Sequence, residues 1–383
     1  MKNFKGITYV GVDDLDLDLF EGQYVVPEGM SYNSYVITDE KIAVMDAVDK
    51  AKIAEWLGKL EDALQGRTPD YLVISHMEPD HSAGIAAFAA KYPSACVVGN
   101  TKMFEMFRNF YGCELPVKLT VKEGDTLSLG THELTFVSAP MVHWPEVTVS
   151  YEKSEKVLFA ADAFGKFGAL QNETDDWACE ARRYYFNIVG KYGVQVQALL
   201  KKLAAFDIKA ICPLHGPVLT ENLSYYLGLY DTWSSYKAES KGTFIAYAGV
   251  YGNTREAALA LAEELESRGE KTVVTDLARS DMAEAVEDAF RYDKTVFAAT
   301  TLDGGIFPVM DDFIRHLKAK NFQNRKVGII ENGSWAPMSG KLMRAMLEEQ
   351  KNITFADTVI TCRSAVPDNI RELCARLADE LLA

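Results

Sequence analysis

Tyr71-Leu72-Val73-Ile74-Ser75-His76-Met77-Glu78-Pro79-Asp80-His81 carries the strongest structural and chemical signal in this chain. Its first five residues predict a short buried strand. The next six include four side chains that can bind a metal, His76, Glu78, Asp80 and His81. Residues 76, 78 and 80 alternate, so an extended loop would point them one way, while His81 could reach a second ion. The alternative is a polar turn with chance histidines, but the whole chain has only six histidines.

Three further potential ligands each follow an apolar run. His143 comes after Met141-Val142, Asp162 after Ala160-Ala161, and His215 lies just past Ala210-Ile211. A lone His or Asp at a strand end is usually structural, but these three and the hexapeptide together fit one metal site. The two remaining histidines, His132 and His316, lie in polar or helical surroundings, and we expect both to be solvated.

The first part of the chain predicts short strands around few helices. A hairpin is expected over residues 32–37 and 41–46, because a turn-like Thr38-Asp39-Glu40 separates two β-prone runs. An amphipathic helix follows over residues 51–57. Further strands are predicted over residues 71–75, 134–137, 147–151 and 157–160. This order favours stacked layers of sheet and helix, an α+β arrangement.

From Thr243 onward, strands and helices alternate. Strands are predicted over residues 243–247, 272–274, 295–299, 326–330 and 355–360, and helices over 256–268 and 309–319 and from Lys341 and Asn369. This rhythm predicts an α/β domain with a doubly wound, five-stranded parallel sheet. The polar stretch Glu239-Ser240-Lys241-Gly242 is the predicted boundary, dividing the chain into residues 1–241 and 242–383.

The turn Tyr247-Ala248-Gly249-Val250-Tyr251-Gly252-Asn253-Thr254 joins the first strand and first helix of this second domain. A glycine-containing turn at a helix N-terminus presents N–H groups to a phosphate. Such turns are also glycine-rich for steric reasons, so the turn alone is weak evidence. Two further loops, Thr300–Pro308 and Asn332–Pro337, follow later strands, on the side where ligands bind such sheets.

The metal-ligand pattern resembles the metallo-β-lactamase superfamily, which implies an αββα sandwich with two metals at the strand ends. Hydrolytic members commonly have histidine where this chain has Glu78. Imidazole suits zinc, whereas added carboxylate suits redox-active iron. The H-x-E-x-D-H form narrows the resemblance to the flavodiiron proteins, which join this domain to a flavodoxin-like one.

The flavodiiron resemblance implies two irons and their ligands. One iron would be held by His76, Glu78 and His143, the other by Asp80, His81 and His215, with Asp162 bridging. In some members the residue matching His81 is displaced by water. Partners of the imidazoles cannot be identified from the sequence.

The resemblance also implies FMN in the second domain. The residues expected to bind it are Tyr251, Gly252, Asn253 and Thr254, then Thr300, Thr301, Leu302, Asp303, Gly304 and Gly305, then Asn332, Gly333, Ser334 and Trp335. The Trp335 ring is expected to cover the flavin. Flavodoxins usually open the phosphate loop with hydroxyl residues, and here Ala248 and Gly249 replace them. We therefore expect reduced FMN affinity.

The implied activity is reduction of dioxygen to water, of nitric oxide to nitrous oxide, or of both, at irons fed with electrons by FMN. The resemblance implies a donor such as rubredoxin or a rubredoxin reductase system. It also implies a head-to-tail homodimer, or a dimer of dimers, with FMN of one chain against the irons of the next. Two alternatives stay open. One is a zinc-dependent hydrolase with a flavodoxin appendage, and the other is a non-enzymatic FMN electron carrier.

Composition restricts the partners. The 383 residues carry a formal net charge of −15, which argues against nucleic acid or an anionic membrane as a partner. No apolar stretch reaches the ~18 residues of a membrane span. The six cysteines form no C-x-x-C pair, so we expect buried free thiols, no rubredoxin-like site and a cytoplasmic protein.

Overall fold

The computed structural model describes residues 4–173 and 176–383. Its contacts divide the chain into two compact units. One runs up to Tyr185 and includes Val194–Asp231, and the other contains Phe186–Gly193 and Thr232–Ala383. The predicted boundary after residue 241 lies inside the strand Ser240–Ala248. How the chain divides into independently folding parts stays a prediction.

The strands before residue 213 are short. They are β1 (Ile7–Tyr9), β2 (Val12–Asp14), β3 (Leu19–Phe20), β4 (Tyr24–Val25), β5 (Met30–Tyr32), β6 (Tyr35–Thr38), β7 (Ile42–Met45), β8 (Tyr71–Val73), β9 (Cys96–Gly99), β10 (Lys118–Thr120), β11 (Thr126–Ser128), β12 (Glu133–Ser138), β13 (Thr148–Glu152), β14 (Val157–Phe159) and β15 (Ala210–Cys212).

The helices before residue 235 are α1 (Ile53–Leu64), α2 (Pro79–Ser82), α3 (Ile85–Lys91), α4 (Thr101–Tyr111), α5 (Trp177–Tyr184), α6 (Gly193–Leu203) and α7 (Leu223–Ser234). Short 3₁₀ turns lie at Lys50–Lys52, Leu170–Asn172 and Gly190–Tyr192, and a π-helical turn lies at Tyr185–Val189.

Two large sheets build the core of the first unit, in the orders β1-β6-β7-β8-β9-β10 and β11-β12-β13-β14-β15, and β2-β5 and β3-β4 form two small two-stranded sheets. The predicted hairpin is β6 and β7, with Tyr35 opposite Met45. Apolar side chains from both sheets meet in one core that contains Ile37, Met45, Val73, Phe136, Val157 and Phe159. The predicted sandwich is therefore confirmed.

The metal-capable side chains lie just past strand ends of these two sheets. β8 ends before His76, β14 before Asp162 and β15 before His215. Because β14 and β15 are parallel neighbours, their carboxyl ends lie at the same edge. The extended loop predicted over residues 76–81 is wrong in its second half. Pro79 begins the helical turn α2, since its fixed φ and missing N–H suit a first helical position.

The strands after residue 239 are β16 (Ser240–Ala248), β17 (Thr272–Asp276), β18 (Tyr292–Leu302), β19 (Gly305–Ile306), β20 (Arg325–Asn332) and β21 (Ile353–Cys362). The helices that follow them are α8 (Asn253–Ser267), α9 (Met282–Arg291), α10 (Pro308–Ala319), α11 (Ser339–Glu348) and α12 (Ile370–Leu382).

The second unit has the predicted doubly wound sheet. Its parallel strands follow the order β17-β16-β18-β20-β21, and the short β19 pairs antiparallel with β18. Helix α9 was not predicted, although the connection between the parallel strands β17 and β18 requires a crossover, which is usually helical. Its buried face contains Val286 and Phe290.

Two expectations about individual side chains need correction. His132 was expected in solvent, but it is 5% exposed, and its Nδ1 lies 2.9 Å from Oε1 of the buried Glu152. His316 is partly exposed on α10, as expected. None of the six cysteines forms a disulfide, as expected, but Cys113 and Cys179 are exposed and Cys96 is only half-buried. Within the described ranges, no helix has both the length and the apolar character needed to span a bilayer.

Ile330 tests the core of the second unit. It is fully buried on β20, opposite Ala298 of β18 and Ile360 of β21. Ile330→Ala should lower the free energy of unfolding by about 2–5 kcal/mol through lost burial and a cavity, and Ile330→Val by about 0.5–1.5 kcal/mol. Urea unfolding of both variants measures this. If both variants lose the same small amount of unfolding free energy, the side chain of Ile330 is not tightly packed.

Candidate metal centre and ligand pocket

The first group of potential ligands is His76, Glu78, His143 and Asp162. Glu78 Oε2 lies 3.2 Å from His76 Nε2 and 3.0 Å from His143 Nε2. Asp162 Oδ2 lies 3.2 Å from each of the same two nitrogens. The two Nε2 atoms are themselves 3.3 Å apart. Two histidines and two carboxylates therefore converge on one point.

The second group is Asp80, His81 and His215. The Nε2 atoms of His81 and His215 lie 3.0 Å apart. Asp80 Oδ2 lies 3.2 Å from the first and 3.3 Å from the second. All three residues are buried. His81 thus lies together with the other two potential ligands of this group.

Asp162 joins the two groups. Its Oδ2 faces the first group, while its Oδ1 lies 3.4 Å from His81 Nε2 and 3.6 Å from His215 Nε2. One carboxylate oxygen is therefore directed at each group. The grouping in space matches the one that the flavodiiron resemblance implied, and the coordination of metal by these residues stays a prediction.

The chemistry of the cluster fits two cations. Both oxygens of Asp80 and both of Asp162 are buried without a hydrogen-bond donor among the described residues. Burying a carboxylate that accepts no hydrogen bond raises the free energy of the folded protein unless a cation neutralises its charge. Facing Nε2 atoms at 3.0 Å also repel when both carry lone pairs, and a metal between the ligands removes that conflict. The residues therefore fit a dinuclear metal centre.

Two residues that sequence reasoning missed orient the imidazoles. Glu146 Oε1 lies 2.7 Å from His76 Nδ1 and accepts the N–H of Met77 at 2.8 Å. The backbone oxygen of Ser31 lies 2.7 Å from His215 Nδ1. Each acceptor holds the proton on Nδ1 and leaves the Nε2 lone pair for a metal. Glu146 follows His143 by only three residues, and that proximity was its one sequence signal.

Asn33 fixes the loop that carries His215. Its amide Nδ2 donates to the backbone oxygens of Pro213 at 2.9 Å and Gly216 at 2.7 Å. Its backbone N–H donates to Leu214 O at 2.8 Å. Because Asn33 follows β5 and the loop follows β15, these bonds tie together segments that are distant in sequence.

Charges in the cluster stabilise one another. Burial alone would raise the pKa of Asp162, but the neighbouring imidazoles, His76 above all, hold the pKa of this carboxyl well below its usual range. Burial alone would lower the pKa of His76, but Asp162 and Glu146 raise that pKa well above its ordinary value. Asp80 differs, since burial raises its pKa to about 7.

Three aromatic side chains pack against His215 of the second group. The rings of Phe20, Tyr32 and Tyr184 contact the His215 ring, at centroid distances of 5.3, 6.0 and 5.6 Å. A cleft lined by Phe20, Tyr32, Glu78 and Asp80, among others, leads to the ligands. The cleft gives a small molecule a route to the site, and its lining also includes the acidic residues Glu21 and Asp49.

The second unit contains a separate pocket at the carboxyl ends of its parallel strands. Its lining residues are Val250, Tyr251, Asn253, Thr254, Thr300, Thr301, Leu302, Asn332, Gly333, Ser334, Trp335 and Ser364. Gly252, Asp303, Gly304 and Gly305 were also expected there and do not line it. Gly252 borders a neighbouring cavity, and Asp303 and Gly304 form the turn between β18 and β19. Val250 and Ser364 were not predicted.

The pocket has a polar floor and an aromatic rim. Thr301 Oγ1 accepts the N–H groups of Met338 and Ser339, and Asn332 Oδ1 accepts that of Ser364. Trp335 is 90% exposed and Tyr251 is 92% exposed. Rings so exposed beside a pocket can cover a planar aromatic ligand. These features fit a flavin, and its contacts stay a prediction.

The chain is similar to known proteins over most of its length. A family model described as "ODP family beta lactamase" matches residues 30–216. The chain is 28% identical to the nitric oxide reductase of Moorella thermoacetica, over 90% of this chain and 89% of that protein. It is similar to the structure of the flavodiiron protein from Giardia intestinalis, with a TM-score of 0.93 and 26% identity, covering 100% and 96% of the chains. Rubredoxin:oxygen oxidoreductase from Desulfovibrio gigas shares the fold, with a TM-score of 0.93, 24% identity and coverage of 100% and 97%.

Glu146→Gln tests the orienting role of the carboxylate. The amide can still accept from His76 Nδ1 but lacks the charge that raises ligand basicity, so metal affinity should fall roughly 10–100-fold. Competition with a chelator measures the affinity. Glu152→Gln is the matched control, because Glu152 is buried and pairs with His132 outside the cluster. Equal metal affinities for the two variants would contradict the role of Glu146.

Proposed function

We propose that the chain is a flavodiiron protein, which reduces nitric oxide to nitrous oxide, and dioxygen to water, with electrons from FMN. The proposed catalytic centre is a pair of non-haem irons in the first unit. The proposed FMN site is the pocket at the strand ends of the second unit.

The observation that carries the proposal is the position of Asp162. One of its oxygens faces His76 and His143, and the other faces His81 and His215. A carboxylate shared in this way supports two ions side by side, an arrangement suited to two small molecules at once. The relative named as a nitric oxide reductase, aligned over most of both chains, supports the same activity.

The roles of the protein residues follow from this geometry. When bound, FMN takes up electrons singly or in pairs, and the iron pair supplies the redox chemistry for a diatomic gas. Glu146 and Ser31 hold His76 and His215 with Nε2 toward the metals. Phe20, Tyr32 and Tyr184 restrict water around the second group. Within the flavin pocket, Trp335 and Tyr251 would cover the ring.

The alternatives receive less support. A zinc hydrolase of this superfamily would commonly have histidine in place of Glu78, whose carboxylate instead lies among the ligands of the first group. A non-enzymatic electron carrier would not need an intact set of seven buried or half-buried ligand side chains.

Asp162→Ala tests the proposed centre. Loss of the shared charge should lower iron content and the rates of nitric oxide and dioxygen reduction by about tenfold or more. Iron is measured by elemental analysis, and gas consumption is measured with chemically reduced protein. Asp207→Ala, which removes an exposed carboxylate paired with Lys156, is the control and should behave as wild type. Full iron content and full activity in Asp162→Ala would rule out the bridge. Zinc in place of iron, with ester hydrolysis, would favour the hydrolase.

Partners and location are also proposed. A rubredoxin-type protein, or a rubredoxin reductase system, is the proposed donor. None of the six cysteines forms a disulfide, which supports a reducing compartment, and we propose that the protein is cytoplasmic. The proposed assembly is a head-to-tail homodimer, alone or paired into a tetramer, in which FMN of one chain serves the irons of the next.

Hybrid dimers test electron transfer between chains. His76→Ala removes a metal ligand, and Gly252→Val removes the glycine whose φ of +93° the phosphate loop requires. Each variant alone should be inactive. After subunit exchange, an equal mixture should recover about a quarter of wild-type activity, because half the dimers are hybrids and each has one complete path. No recovery above either parent, with exchange confirmed, would indicate that electrons do not pass between chains.

A further inference from the structure

Gly249 lies in the turn after β16 and has no side chain, and a hydroxyl from the neighbouring strand β18 lies close to it. A Cβ on Gly249 would lie 2.9 Å from both Cβ and Oγ1 of Thr254, and 3.1 Å from Oγ1 of Thr300. Contacts this short leave no room for a side chain. The space that a loop hydroxyl would need is therefore already occupied by two other hydroxyls.

Strand register explains why Thr300 reaches this place. β16 and β18 are parallel, with Ala248 opposite Ala299, so Thr300 is next to Gly249 one step further along. β20 continues the row, with Asn332 opposite Thr300. Gly249, Thr300 and Asn332 therefore stand side by side at the carboxyl ends of three adjacent strands. Gly249, after β16, has no hydroxyl, whereas Thr300 beside it on β18 has one.

The hydrogen bonds leave one hydroxyl proton free. Thr254 Oγ1 and Thr300 Oγ1 lie 2.8 Å apart, and Asn332 Nδ2 donates to Thr254 Oγ1 at 3.4 Å. Each hydroxyl has one proton to donate. Either hydroxyl can donate in the pair between Thr254 and Thr300, and only one proton is used there. When Thr254 donates to Thr300, the proton of Thr300 remains for a ligand. Both threonines line the pocket, and Thr254 lies in the first turn of α8, where the helix dipole favours an anion.

We propose that Thr300 replaces the missing loop hydroxyl and donates to the phosphate of FMN, with Thr254 and Asn332 orienting it. This inference rests on the proposed binding of FMN and adds the residue that recognises the phosphomonoester. It reverses the expectation drawn from Ala248 and Gly249 alone, since the affinity lost at the loop is restored from β18. On this proposal the site requires glycine at position 249, because a side chain there would press on Thr254 and Thr300.

The test compares FMN with riboflavin, which has the same ring system and lacks the phosphate. Apoprotein is titrated with each flavin, and binding is followed by quenching of flavin fluorescence. Thr300→Val keeps the shape and removes the donor, so FMN affinity should fall roughly 10–100-fold, the loss expected for one hydrogen bond to a charged group. Riboflavin affinity should stay unchanged. Thr300→Ser keeps the hydroxyl and should keep FMN affinity close to that of wild type.

Gly249→Ser gives a second, opposite test. If the loop merely lacked a hydroxyl, this substitution would strengthen FMN binding. Because the new Cβ would press on Thr254 and Thr300, we expect weaker binding instead. Unchanged FMN affinity in Thr300→Val, or an equal fall for FMN and riboflavin, would overturn the role of Thr300. Failure of the wild-type protein to bind either flavin would overturn the proposed function as well, whereas equal wild-type affinities for both flavins would overturn only this inference.

Discussion

The first unit depends on one constraint, which is the need to neutralise carboxylates that the fold buries. Asp162 is fully buried, and its two oxygens lack hydrogen-bond donors among the described residues while facing four imidazoles. Burial of such a charge is tolerated only beside positive charge or metal. Two cations bound at this cluster would neutralise Asp162, Glu78 and Asp80 together. The strands and loops around Asp162 hold these carboxylates and the four imidazoles close together.

Strand ends and a few long-range hydrogen bonds position these side chains. The sandwich brings the ends of β8, β14 and β15 together, and α2 turns the chain so that Asp80 and His81 face His215. Glu146 and Asn33 then fix the imidazoles and the His215 loop. Rigid placement of ligand side chains lowers the free-energy cost of assembling a metal site.

The pocket proposed for flavin also lies at strand ends, but its polar groups are neutral rather than charged. Its floor consists of backbone groups and hydroxyls at parallel strand ends, and its rim is aromatic. Here the strand register matters most, since it decides which side chain stands beside Gly249. The two units therefore use strand ends in different ways, one to concentrate charge and the other to align neutral donors.

Periodicity and a dense cluster of metal-capable residues are local signals, so the sequence alone was enough to predict stacked layers of sheet and helix, the parallel sheet and the candidate ligands. The αββα sandwich came from the family resemblance. Tertiary structure supplied the rest. It buried His132 against Glu152, made Glu146 and Ser31 the partners of His76 and His215, and set Thr300 beside Gly249. Such pairings join residues far apart along the chain, and their distances depend on sheet packing and register, which no local pattern specifies.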